Sequence, residues 1–153
     1  MGLFNIFGKP KSVKMKAPVK NPYADSYFKE LEQLEVMWSV IKNLDLLKSK
    51  EAITFEKLCI SNKNAYLKMV DFDRKHNKDF ITPAHAPAYV RLAMLYEKQG
   101  KWEKAIDICV EAIKNGAYDD HSKGKMYGRL ARMIKKAGIK PTAEMTKYIS
   151  QKG

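Results

Sequence analysis

Cysteine is nearly missing from this chain of 153 residues: only Cys59 and Cys109 occur, each within an amphipathic stretch. Two such thiols behave as small buried hydrophobes and argue against the disulfide framework of a small secreted domain. Glycine is scarce away from the ends of apolar-periodic segments. No stretch sustains β-branched alternation, which leaves all-α as the natural class. No run approaches the ~20 apolar residues that a membrane span requires. The N-terminus lacks the long apolar core of a signal peptide, so a cytoplasmic protein is expected.

The groups that carry chemistry are equally sparse. The three histidines, His76, His85 and His121, include no pair three or four residues apart on one helix, so no metal pair forms. Asp119, Asp120 and His121 are consecutive at a helix start, where capping accounts for both aspartates. There is no glycine-rich phosphate loop and no GxSxG elbow. Neither cysteine stands in a recognisable set with His and Asn. The expectation is a protein that is not an enzyme, with no cofactor, no metal and no small-molecule substrate.

What the chain does have is positive charge, unevenly placed. The formal net charge is +12. Residues 1–20 hold five lysines and no acid, while residues 21–80 balance ten bases with ten acids. Residues 81–120 are close to neutral, and residues 121–153 hold nine bases against the single acid Glu144. The charge is therefore a tail and a C-terminal face, which suits solvated surface or an acidic partner. Residues 1–20 read as a basic flexible leader. Its apolar tip, Leu3, Phe4, Ile6 and Phe7, precedes a polybasic strip, a combination that can dock on an anionic membrane surface; the reading preferred here is a leader whose Phe residues tuck onto the body.

Residues 21–153 read as a single helical domain of five or six helices. Asn21-Pro22 suits a helix start, and Leu31, Leu34, Trp38 and Ile41 form a buried stripe, with Met37 and Leu44 beside it; this helix is expected to end near residue 48. A second spans residues 52–76 with Phe55, Leu58, Cys59, Asn62, Tyr66, Met69 and Phe72 inward. Asn62 interrupts that stripe and calls for a buried hydrogen bond or a bend. An extended connection follows, then helices over 87–99 and 101–115. A fifth is expected to be capped by Asp119 and Asp120 and to run to residue 137, and a sixth to open at Pro141.

Residues 87–116 read PAYVRLAMLYEKQGKWEKAIDICVEAIKNG. Tyr89, Leu92, Ala93 and Tyr96 recur at helical spacing, and so do Trp102, Ala105, Ile106, Cys109, Ala112 and Ile113. Gly100 and Gly116 close the two segments. This hairpin resembles a tetratricopeptide repeat: aromatic, Leu, small residue and Tyr in the first helix, then Ala105 in the small slot of the second. Tyr127, Leu130, Ala131, Ile134 and Gly138 begin a second copy over residues 121–150, with Ala143 in its small slot.

The resemblance implies antiparallel hairpins stacked into a short right-handed solenoid, whose first helices line a concave groove. It places Lys125, Arg129, Arg132, Lys135 and Lys136 toward that groove. Pro87, Val90, Arg91, Met94, Glu97 and Lys98 take the equivalent places on the preceding first helix. Val90 and Met94 would form an apolar floor beside a wall of Arg91, Lys98, Lys125, Arg129, Arg132 and Lys136. Lys125 and Arg129, one turn apart, look like the Lys and Arg with which some tetratricopeptide domains clamp a C-terminal carboxylate. The implied function is an adaptor binding an acidic or extended peptide. The alternatives are a basic nucleic-acid-associated protein and a peripheral membrane protein held by its leader.

Overall fold

A computed structural model describes residues 19–151. The apolar tip Leu3, Phe4, Ile6 and Phe7, and nearly all of the expected leader, lie outside the described residues. Among the described residues there are six helices and no strand: α1 (Ala24–Asn43), α2 (Lys50–His76), α3 (Pro87–Lys98), α4 (Trp102–Lys114), α5 (Lys125–Ala137) and α6 (Ala143–Ile149). The all-α expectation holds for these residues.

Each helix packs on the next in sequence, and α1 also touches α3. Side-chain pairings show that from α1 to α5 each helix runs antiparallel to the next. Trp38, late in α1, stacks on Phe55, early in α2, with ring centroids 5.5 Å apart. Tyr96, late in α3, donates to Glu56, early in α2. Tyr89, early in α3, donates 2.7 Å to Glu111, late in α4. Lys136, late in α5, lies 5.1 Å over the ring of Trp102, which opens α4.

The core follows the apolar periodicity. Leu34, Phe55, Tyr66, Tyr89, Leu92, Leu95, Ile106, Met126, Leu130 and Met133 are fully buried. Ala93, Ala105 and Ala112 are buried as well, and their small side chains allow α3 and α4 to approach closely. Gly100 and Gly116 sit at φ +73° and +85°, the left-handed turn that ends a helix without a Cβ penalty. At Gly116 an added Cβ would also lie 3.2 Å from Thr82 Cγ2.

Asn62 does not break its helix. It is buried within the continuous α2, and its amide donates 3.1 Å to both the Tyr27 carbonyl and Glu30 Oε1. The α1–α2 pair is thus held by a polar contact inside an apolar seam. Cys59 and Cys109 are free, buried thiols, and burial pushes both above the ordinary thiol range, Cys109 to about 12.

Three boundaries differ from those expected. Helix α1 stops at Asn43, because Asp45 adopts φ +55° and turns the chain; Leu44 is exposed, and the half-buried Leu46 and Leu47 pack against the core from the connection. Helix α5 begins at Lys125 with Gly124 before it, so Asp119 and Asp120 do not cap it. They organise the preceding loop, accepting from the backbone N–H groups of His121 and Ser122, both at 2.9 Å. Helix α6 starts at Ala143, capped by Thr142, whose hydroxyl accepts from Met145 N–H at 3.1 Å.

Candidate interaction surface

Ion pairs tie α1, α3 and α5 into one row. At its first junction Arg91 of α3 donates through Nη2 to Glu35 Oε2 at 2.8 Å and through Nε to Glu35 Oε1 at 3.2 Å. The same guanidinium covers the Trp38 ring at 5.5 Å and touches the Met94 sulfur. A planar fork on a carboxylate over an aromatic face is an arrangement that lysine could not reproduce.

At the second junction Arg129 of α5 donates through Nη1 to Glu97 of α3 at 3.0 Å and through Nε to Asp120 at 2.9 Å. Its side chain is only 12% exposed, and that of Asp120 is fully covered. Burial by itself would raise the Asp120 pKa, but hydrogen bonds from Ser122 and Arg129 outweigh it and hold the carboxyl below its ordinary range. Lys136 reaches Glu97 from the next turns of α5 at 3.2 Å.

These contacts fix which way α5 faces. Lys125, Arg129, Arg132 and Lys136 recur at intervals of three and four, so they form one stripe. Two of the four meet Glu97, which sets that stripe beside α3. The expected basic residues therefore divide by role. Arg91, Arg129 and Lys136 are neutralised by acids of the same chain. Lys98, Lys125 and Arg132 form no ion pair among the described residues, and Lys98 and Arg132 are exposed. Lys125 lies 5.4 Å over the ring of Tyr118, which stacks on Tyr127 at 5.9 Å. Met94 is half-buried at the surface, but Val90 is buried. The apolar floor expected from both residues is reduced to Met94.

Arg129 already donates to Asp120 and Glu97 of its own chain, so a ligand's carboxylate would have to share that guanidinium with two internal acids. Glu97 was legible on this face from its place in α3. Asp120 was not, because its pairing depends on a loop fold with no local signature beyond that of a cap.

Little else in the described residues offers chemistry. No group of three metal-ligating side chains is placed to hold an ion among them. Among them, too, no helix is long and apolar enough to cross a membrane. No family model, curated protein or solved structure matches this chain. The class defined by fold and surface is an all-helical protein of sequential antiparallel helices, with a charge-laced row along α1, α3 and α5.

Proposed function

We propose that this chain is a non-enzymatic interaction module that holds an acidic, extended peptide along the α3–α5 face. The single observation that carries this reading is the surplus of cations on that face. After Glu35, Glu97 and Asp120 have taken Arg91, Arg129 and Lys136, the cations Lys98 on α3 and Lys125 and Arg132 on α5 keep no ion pair among the described residues, and Met94 is half-buried on α3. Internal pairing of Arg129 holds α5 against α3, so that the remaining cations are presented from an ordered surface.

The repeat resemblance supports the same reading. In it α3 and α5 are first helices, and the short right-handed solenoid that it implies turns first helices toward a groove. The ligand's acids would meet Lys98, Lys125 and Arg132, and an apolar side chain would rest on Met94. Exposed charge pairs of this kind are individually weak and salt-sensitive, so affinity comes from several acting together.

The test uses a labelled peptide of glutamates interspersed with leucines, followed by fluorescence anisotropy at low and moderate salt. Wild-type protein is expected to bind it, more weakly as salt rises. The Lys98→Glu/Lys125→Glu/Arg132→Glu variant, shown to be folded by circular dichroism, is expected to lose about tenfold or more in affinity. Unchanged affinity of that variant would make the face ordinary solvated surface. Preference for a single-stranded oligonucleotide of equal charge over the peptide would replace the peptide by a nucleic acid.

A further inference from the structure

Helix α1 has two apolar faces. Tyr27, Leu34, Trp38 and Ile41 point into the core. On the other side Phe28, Val36, Val40 and Leu44 are exposed, Val36 at 67% and Phe28 at 54%. With Glu32 they recur every four residues, so they line one stripe along the helix. An open groove of about 520 Å³ lies on it, lined by Glu32, Gln33, Val36, Met37 and Val40. The helix at the end of a stacked row ordinarily turns a polar face to water. This first described helix instead exposes Val36, Val40 and Leu44 beyond Glu32, and such an apolar patch marks a surface that something covers.

We infer that the cover is the chain's own leader, with Leu3, Phe4, Ile6 and Phe7 seated on Val36, Met37 and Val40. Three observations select this occupant. The first is the point of attachment. The leader joins the described residues at Val19, whose backbone N–H donates 2.8 Å to Asn77 Oδ1 and whose carbonyl accepts from Asn77 Nδ2. Asn77 caps the end of α2, which antiparallel packing sets beside the start of α1. The chain is thus delivered to the near end of the stripe.

The second is reach. From Ala24 to Val40 along α1 is ~24 Å at 1.5 Å per residue. The stretch from Phe7 to Val19, if extended, spans up to ~40 Å, enough to lay the apolar tip over the groove with slack for two prolines. The third is charge. Lys9, Lys11, Lys14 and Lys16 lie between the tip and the attachment point. Asp25 and Glu32 on α1 are exposed and make no ion pair among the described residues, and with Lys29 between them the three carry one net negative charge. A leader running along α1 places its lysines over those acids while its tip covers the apolar stripe.

The experiment is paramagnetic relaxation on the full chain. A nitroxide is attached at Ser39→Cys, an exposed α1 position that does not line the groove; Cys59 and Cys109 are buried and stay unlabelled. Docking predicts that the amide signals of Leu3 to Phe7 lose most of their intensity. The loss is expected to disappear when Val36→Glu is added, an exposed change that leaves the fold intact. A mixed sample, one copy spin-labelled and another isotope-labelled, separates the sources. Broadening that appears only between copies would assign the face to a second copy and overturn the inference. Undisturbed leader signals in both samples would overturn it as well.

Discussion

Asp120 shows how a single residue can be read correctly for its type and wrongly for its role. Aspartate ahead of a helix signals a cap, and the local sequence contains nothing to contradict that. In the fold its carboxylate is fully covered and shared between Ser122 and Arg129. Its pKa lies below the ordinary value, so it contributes stability above about pH 4, and that contribution is lost as pH falls through the depressed folded value. Asp120→Asn is expected to cost on the order of 3 kcal/mol near neutrality, since Arg129 keeps only Glu97 as a partner. Denaturation midpoints measured at falling pH should show the gap between wild type and variant closing below about pH 4. A gap that stays constant with pH would show that Asp120 does not carry this ionisation.

At the scale of helices, periodicity made most of the fold legible. Stripes such as Leu34–Trp38–Ile41 and Leu92–Ala93–Tyr96 fix both the helix and its inward face, because burial acts on every turn. The glycines at 100 and 116 fix where α3 and α4 stop. Periodicity was silent where the chain leaves a helix for tertiary reasons. The end of α1 at Asn43 and the start of α5 at Lys125 are set by Asp45 and by the Asp119–Ser122 loop. It also hid the second apolar side of α1, since Val36 and Val40 look like ordinary additions to a hydrophobic helix. The small residues carry the sharpest element-level claim. Ala105 is fully buried in α4, so Ala105→Leu should wedge its surroundings apart and destabilise by ~1–3 kcal/mol. A thermal melt unchanged by that substitution would mean the α3–α4 seam has room that its burial does not suggest.

Over the whole molecule, charge and packing divide the labour. The midsection, residues 21–120, is nearly neutral, and its Glu35, Glu97 and Asp120 bind cations that hold helices together. The excess falls at the two ends, in the leader and in residues 121–153. Sequence alone located that excess, and the repeat resemblance leads one to expect Lys98, Lys125 and Arg132 on one face. It did not separate those cations from Arg91, Arg129 and Lys136, because pairing across helices is a property of the fold and not of spacing. The most direct measurement of the central claim is amide chemical-shift mapping during titration with the acidic peptide. The expected perturbations cluster on Met94, Lys98, Lys125 and Arg132 and fade as salt is raised. Perturbations confined to α1 or α2, or none at saturating peptide, would contradict the assignment of the α3–α5 face as the binding surface.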